Sequence, residues 1–362
     1  MIDPSFCISS YDYQLPPAQI AQQPAARRDG SRLLVVPGAP GTPEDWLFTD
    51  LPKLIGANDL LVINDTRVFP ARLRGRKESG GQVELFLLHY PQVIGKDEAL
   101  AAIDGQAEVR GLVKSSKRPK PGMRLLFGDE MEALVLEILA NGEVQVRLSW
   151  RGALDAVLNG CGMVPLPPYI RRQTGEEGDD RQRYQTIYAR ESGAIAAPTA
   201  GLHFSEPLLQ AVRDRGARFA PVTLHVGYAT FAPVRTTDIR DHQIHAEYVS
   251  VPESTVQAIR QARDAGGKIW AVGTTSARAL EFAAGAGELQ AVSDWCRLYI
   301  YPGYQFRVVD KLITNFHLPQ SSLLFMASAF AGYEQVMQAY QRALDLGYRF
   351  YSYGDAMTLV RK

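Results

Sequence analysis

Cysteine is scarce in this 362-residue chain. Cys7, Cys161 and Cys296 are scattered, odd in number and never arranged as C-x-x-C. That argues against a disulfide framework or a thiolate zinc site and points to a reducing compartment. Long apolar runs are missing too. The longest, about residues 323–332, is far shorter than the roughly 20 residues needed to span a bilayer, so no membrane partner is expected. Residues 1–14 show neither the basic start nor the apolar segment of a secretory signal, which makes the cytoplasm the expected location. Neither charge sign is in excess: 39 Lys plus Arg balance 39 Asp plus Glu. A protein that binds polyanions through a uniformly basic surface is thereby excluded, though a local basic patch is not. No internal repeat is evident.

What is present fits an ordinary globular protein, with 46% apolar and 22% charged residues. The length suggests about two domains. Residues 11–32 read as a proline-punctuated loop, and 33–37 as a short strand. LLVIN at Leu60–Asn64 is a short apolar run consistent with a buried strand. From about residue 72 to 150 the texture changes. Runs at 83–89, 123–127, 133–138 and 144–148 are separated by Gly, Pro and Asn, the pattern of a small all-β barrel or sandwich. Beyond 150, helix patterns at 206–215, 252–265, 276–284, 322–331 and 333–346 alternate with strand patterns at 219–226, 268–272 and 348–353. Such alternation implies an α/β domain. The expected organisation is a discontinuous α/β catalytic domain (1–70 and 151–362) with a β domain inserted at 71–150.

Several stretches carry chemistry. A strand running into Gly273-Thr274-Thr275-Ser276 and then a helix presents free N–H groups at a positive dipole end, which can hold a phosphate or carboxylate. The plainer reading is that Thr275 or Ser276 merely caps the helix. Five of six histidines fall between His203 and His317, several beside Gly or Pro: His203, His225, His242, His245 and His317. Histidine carries protons near neutral pH, although any one of them can be an ordinary structural residue. H-Q-I-H (His242, His245), with Glu247 two residues on, lacks the i, i+4 spacing of a helical zinc pair, and no metal is expected. Asp65 and Arg67 follow a strand directly in N-D-T-R; they suit a polar ligand or simply close a turn.

Basic residues cluster twice. Arg67, Arg72, Arg74, Arg76 and Lys77 form one group; Arg110, Lys114, Lys117, Arg118, Lys120 and Arg124 form the other. Brought together on the β domain they would make a positive face able to follow a phosphate backbone; apart, they are a solvated surface. Aromatic residues gather at Tyr348, Phe350, Tyr351 and Tyr353, and around Tyr301 and Tyr304. They can stack on bases or pack the core.

Ten segments, in one order from Tyr11 to Met357, carry a resemblance: YDYQLPPAQIAQQP, NDTRVFPARL, PLPPYI, YQTIYA, APTAGLHF, TLHVGYATFAPV, HQIHAE, AVGTTSARALE, ITNFHLP and YRFYSYGDAM. Through them the chain resembles the S-adenosylmethionine:tRNA ribosyltransferase-isomerases of the queuosine pathway. Tyr228, Ser79 and the 295–301 stretch depart from that family's pattern in detail. The resemblance implies a mixed α/β domain with an inserted β-barrel, and no prosthetic group or metal. S-adenosylmethionine would serve as ribosyl donor. The acceptor would be 7-aminomethyl-7-deazaguanine at the wobble position of tRNAs with a GUN anticodon (Tyr, His, Asn and Asp acceptors). The products would be epoxyqueuosine-tRNA, adenine and methionine.

That reaction implies a base for the ribosyl proton next to sulfur and an acid for departing adenine. His203 and His225 lead as candidates, followed by His245, Glu247 and His317. Gly273, Thr274, Thr275 and Ser276 would hold the methionine carboxylate, with Asn315, Asp65 and Arg67 as further polar contacts. Phe231 or Tyr353 would stack on a base. Arg72, Arg74, Arg76, Lys77, Lys114, Lys117, Arg118 and Lys120 would meet RNA phosphates. Neither DNA nor an oligomeric partner is expected. Three rivals stand beside this reading: a conventional S-adenosylmethionine-dependent methyltransferase, whose Gly-rich loop is missing near Leu33 and Leu60; a non-enzymatic RNA-binding protein; and a metal-dependent hydrolase.

Overall fold

The computed structural model describes residues 3–38, 41–92, 104–172, 179–228, 234–285 and 287–362. Its strands in chain order are β1 Arg32–Val36, β2 Glu44–Leu47, β3 Leu60–Asn64, β4 Thr66–Val68, β5 Arg72–Lys77, β6 Gln82–Leu87, β7 Asp104–Ser115, β8 Arg124–Phe127, β9 Met131–Ile138, β10 Val144–Arg151, β11 Gly162–Met163, β12 Glu191–Ala194, β13 Arg218–Leu224, β14 Glu247–Val251, β15 Ile269–Val272, β16 Val292–Cys296, β17 Lys311–Asn315 and β18 Ala356–Val360. The helices longer than one turn are α1 Leu154–Cys161, α2 Glu206–Asp214, α3 Glu253–Asp264, α4 Thr274–Ala284, α5 Ser322–Ala331 and α6 Tyr333–Asp345.

Nine strands form the main sheet in the order β16-β14-β13-β3-β15-β17-β18-β1-β2. The four central ones, β13, β3, β15 and β17, run parallel. Every residue of β3 and β15 is buried, as parallel strands covered on both faces require. Leu60, Val62, Ile269 and Ala271 pack on one face with residues of α3, α4, α5 and α6. Leu61, Ile63, Trp270 and Val272 pack on the other, against α2 and the 3-10 segment Phe48–Leu54. Parallel registry brings the carboxyl ends of the four strands (Leu224, Asn64, Val272, Asn315) out along one edge. Open α/β sheets place ligands at that edge.

The second sheet runs β11-β5-β6-β7-β10-β9-β8, and β8 pairs back to β5, closing a six-stranded antiparallel barrel. Its strands alternate between interior and solvent. Val144, Val146, Leu148 and Trp150 of β10 point inward with Leu125, Phe127, Ala133 and Val135. Closure depends on Gly75 in β5, because a β-carbon there would overlap the Leu126 carbonyl oxygen and crowd the Phe127 ring. All barrel strands except β11 lie between β4 and α1 in the chain. The architecture is thus mixed α/β with a barrel inserted, as expected.

One expected element is absent. Residues 348–353 do not form the closing strand; β18 at Ala356–Val360 does, pairing with β1 and β17. Tyr348, Phe350, Tyr351 and Tyr353 are all buried, and Tyr351 takes a positive φ of 73°. The chain reverses there, and the Asp355 carboxylate stitches the turn by accepting the backbone N–H groups of Arg32 (2.9 Å) and Arg349 (2.8 Å). Phe350 packs with Phe316, Tyr340 and Tyr13. These rings are largely core, which consumes the apparent strand pattern.

Candidate active site

A crevice opens at the carboxyl edge of the main sheet, with about 130 Å³ enclosed. The β15–α4 junction forms part of its wall. Gly273 turns the chain with φ 90°, a conformation that disfavours a side chain. Gly273 occupies the N-cap position without a side-chain cap, so neither Thr275 nor Ser276 caps the helix. The first-turn N–H groups of Thr274, Thr275 and Ser276 have no acceptor within the helix. Thr274 and Thr275 line the crevice, and the buried Thr275 Oγ1 has no hydrogen-bond partner. Ser276 differs from expectation: it is fully buried, and its hydroxyl donates back to the Val272 carbonyl at 2.8 Å.

Asn315 ends β17 and also lines the crevice. Its Nδ2 donates to the Tyr351 carbonyl (3.2 Å) and to His203 Nε2 (3.1 Å). A carbonyl only accepts, so the amide orientation follows. Nε2 of His203 then accepts, and Nδ1–H donates to Ser31 Oγ at 2.7 Å. Asn315 Oδ1 is left buried and unpartnered at the crevice wall.

His203, expected to lead the chemistry, is absent from that wall. It is buried behind Asn315 with both ring nitrogens engaged, packed on Phe48. Burial, aided by the Arg349 charge, depresses its pKa to about 3. The ring is neutral near pH 7 and suited to fixing Asn315 rather than to moving a proton. His317 does line the crevice, but burial holds its pKa at about 3 as well. Its Nε2 meets Thr314 Oγ1 at 2.8 Å, and its carbonyl accepts from the Tyr13 hydroxyl.

Glu247 and Arg278 form a buried ion pair in the wall. The other Glu247 oxygen accepts the Gly227 N–H at 2.9 Å. Arg278 also donates to the carbonyls of Leu298 (2.9 Å), Cys296 (3.0 Å) and His245 (3.3 Å). This pair fixes the loop before β14, so Glu247 serves as a structural anchor and not as an available base. His242 and His245 stand on that loop. His245 is exposed and His242 half-buried, and both line the crevice. Burial and the neighbouring His245 lower the His242 pKa.

Other expected site residues lie elsewhere. His225 is outside the crevice, its Nδ1 2.8 Å from Thr66 Oγ1 and its ring stacked on Tyr248; burial lowers its pKa. Asp65 is buried, accepting from the Thr223 hydroxyl (2.7 Å) and pairing with Arg190 (3.0 Å). Burial raises its pKa against both partners. Arg67 lines a separate cavity. Tyr353 faces away, donating to Asp180 at 3.0 Å, and Phe231 lies outside the described residues. On the barrel, Arg74, Arg76, Lys114, Lys117, Arg118 and Lys120 are exposed and Arg72 is half-buried. Arg72 and Arg74 share Glu84. Lys77 is not available to a phosphate. It points inward at 6% exposure, and its ammonium is taken by the Lys117 carbonyl at 2.9 Å.

Sequence reasoning missed Arg278, Tyr169 and Ser352, which line the crevice beside Tyr351 of the aromatic cluster. Arg278 left one signal, the lone cation of a helix built largely of small and apolar residues, one turn after Thr274. Tyr169 reaches Ser352 Oγ at 2.6 Å and packs on Tyr351, contacts between distant segments that no local pattern shows. Among the described residues no three His, Cys, Asp or Glu side chains gather as a metal ion would require. No helix among them is long and apolar enough to cross a membrane.

Comparison with known proteins gives consistent matches. A family described as "Queuosine biosynthesis protein" matches residues 8–359. The S-adenosylmethionine:tRNA ribosyltransferase-isomerase of Desulfotalea psychrophila is 50% identical over 355 residues, 97% of each chain. The protein of the same name from Nitratidesulfovibrio vulgaris (strain DP4) is 49% identical over 364 residues, covering 98% of this chain and 97% of its own. A crystal structure of S-adenosylmethionine tRNA ribosyltransferase from Thermotoga maritima aligns with a TM-score of 0.54 and 31% identity, over 97% of this chain and 99% of that one.

Proposed function

This chain belongs to the queuosine biosynthesis protein family and is a ribosyltransferase-isomerase acting on tRNA with S-adenosylmethionine, and on that premise we propose that the crevice at the carboxyl edge of the main sheet is where S-adenosylmethionine binds and reacts. The acceptor we assign is 7-aminomethyl-7-deazaguanine at the wobble position of a GUN anticodon, and the products are epoxyqueuosine-tRNA, adenine and methionine. The enzyme works without a prosthetic group or metal, as a monomer in the cytoplasm.

One observation carries the placement: a helix N-terminus and two orphaned polar atoms, Thr275 Oγ1 and Asn315 Oδ1, meet at one crevice wall. The methionine carboxylate suits the first turn of α4, where N–H groups and the dipole favour an anion by about 0.3–1 kcal/mol. Asn315 Oδ1 accepts from a donor of the same molecule, whether an ammonium, a ribose hydroxyl or the adenine amino group. The enclosed volume is smaller than the roughly 300 Å³ at which ligand pockets begin, so the ligand also fills the open mouth. His245 stands there and is the base we assign to the proton beside the sulfonium. Its neighbours are positioned for it: Arg278 holds its carbonyl, and Glu247 holds Arg278.

The test mixes the protein, S-adenosylmethionine and an anticodon stem-loop carrying 7-aminomethyl-7-deazaguanine, with a chelator present. Adenine release and RNA mass are followed together. Adenine in step with an epoxycyclopentanediol-sized mass gain is expected. A methyl-sized gain would identify a methyltransferase instead, RNA binding without adenine a binding protein, and loss of turnover in chelator a metal enzyme.

A further inference from the structure

S-adenosylmethionine carries two positive groups, its sulfonium and its ammonium, against one carboxylate. The crevice must therefore receive an excess of positive charge. Among the described residues that line it, Glu247 is the one carboxylate, and Arg278 already neutralises it. The first turn of α4 disfavours a cation for the same reason that it suits an anion. An ammonium can donate to Asn315 Oδ1 or to a hydroxyl. A sulfonium has no N–H or O–H to share, so an acceptor oxygen gives it no hydrogen bond. An aromatic face is the other side-chain surface that attracts a cation. Five Tyr and Phe rings line the crevice: Tyr169, Tyr184, Tyr299, Phe316 and Tyr351. Tyr184 and Phe316 are fully buried. Tyr299 is engaged on the loop side, donating to the Ile239 carbonyl at 2.9 Å and packing on His242 and Tyr301. Tyr169 and Tyr351 remain, their ring centroids 4.6 Å apart and tilted by 49°.

Tyr351 is held at the wall against a backbone cost. Its φ of 73° is one that a bulky side chain rarely adopts, and strain of this kind collects at ligand clamps. Its carbonyl accepts from the Gly354 N–H (3.0 Å) and from Asn315 Nδ2 (3.2 Å), and its N–H donates to the Phe316 carbonyl (3.1 Å). These bonds fix Tyr351 directly beside Asn315, whose Oδ1 is unpartnered. The backbone alone does this, because the Tyr351 hydroxyl makes no hydrogen bond to any described residue. We propose that Tyr351, backed by Tyr169, receives the sulfonium of S-adenosylmethionine on the face of its ring. The proposal rests on the placement of S-adenosylmethionine in the crevice and deepens it by naming what recognises the charge. S-adenosylhomocysteine has the same adenosine and amino-acid parts without that charge, so every contact except this one holds both molecules alike.

The experiment measures binding of S-adenosylmethionine and of S-adenosylhomocysteine to the full chain by calorimetry. The proteins are wild type, Tyr351→Phe, a variant with a ring-fluorinated phenylalanine at the same position, and Asn315→Ala. Fluorine withdraws the negative charge of the ring face at nearly constant shape, so the strained turn is undisturbed, and equal Tm values check this. Tyr351→Phe keeps the face and should retain most of the affinity. Relative to Tyr351→Phe, the fluorinated ring should weaken S-adenosylmethionine about three- to tenfold and S-adenosylhomocysteine by less than about twofold. Equal weakening of both ligands would make Tyr351 a packing residue and overturn the proposal. So would no weakening of either, or a tenfold loss already in Tyr351→Phe, which would assign the hydroxyl instead. Asn315→Ala separates this proposal from the reading beneath it, because it should weaken both ligands. If it does while fluorination has no effect, the crevice stands and the role of Tyr351 falls. If neither change affects binding, the placement of S-adenosylmethionine in the crevice falls as well.

Discussion

Lowering the pH should unfold this protein through two buried histidines. His203 and His317 titrate near 3 in the folded state, chiefly because burial penalises the charged ring. In the unfolded chain they titrate near 6.5. Between those values the unfolded state binds the protons and the native state does not, so stability falls as pH falls. The contribution is complete above about pH 6.5 and erodes progressively toward pH 3. From pH 7.5 to 5 each histidine costs about 2 kcal/mol, and the pair about 4 kcal/mol. That is a large share of a typical total of about 5–15 kcal/mol. The lowered pKa values of His89, His225 and His242 act in the same direction. Urea titrations at pH 7.5, 6.5, 5.5 and 5.0 would measure the slope. His317→Gln keeps a hydrogen-bonding group toward Thr314 and cannot titrate, so its loss over the same range should be smaller by about 2 kcal/mol. Equal losses in wild type and His317→Gln would refute the reasoning.

His203→Ala should lower turnover at least about tenfold in a folded protein, because Asn315 loses the acceptor that fixes its amide; unchanged turnover would remove His203 from the site altogether. His245→Ala should lower kcat by about a hundredfold, the low end for a general base, while S-adenosylmethionine still binds; unchanged kcat would mean another group is the base. Glu247→Gln leaves the buried Arg278 without its counter-charge and should destabilise by about 3 kcal/mol in urea, with a raised KM for S-adenosylmethionine. Gly75→Ala forces a β-carbon onto the Leu126 carbonyl at the barrel seam and should cost about 1–3 kcal/mol, read as a lower Tm with faster proteolysis of the barrel.

Periodicity made some of this structure readable in advance. LLVIN read as a buried strand and is one, and β10 alternates so cleanly that its inward set is visible in the letters. The strand–glycine–helix junction at Gly273 was legible because turn, dipole and hydroxyls are local. What failed was whatever depends on distant partners. The aromatic run at 348–353 looks extended, yet its rings are drawn into the core by Phe316, Tyr340 and Tyr13. Lys77 sits one residue from exposed Arg76, and only the inward phase of β5 tells them apart. Asp65 is the link between β3 and β4 and Arg67 lies within β4, so two residues apart they reach different places. Histidine counting put five rings in one half of the chain; the structure sets His242, His245 and His317 along the crevice and His203 and His225 away from it.

That separation follows from solvation. A histidine with a depressed pKa is a weak base, but it is a reliable neutral hydrogen-bonding group, because it keeps its single proton on a chosen nitrogen across the working pH range. His203 uses this to pass orientation from Ser31 to Asn315. His245 is exposed, anchored by its carbonyl and free at its ring. A ring that must touch a reacting molecule needs an open face, and the crevice wall gives His245 one.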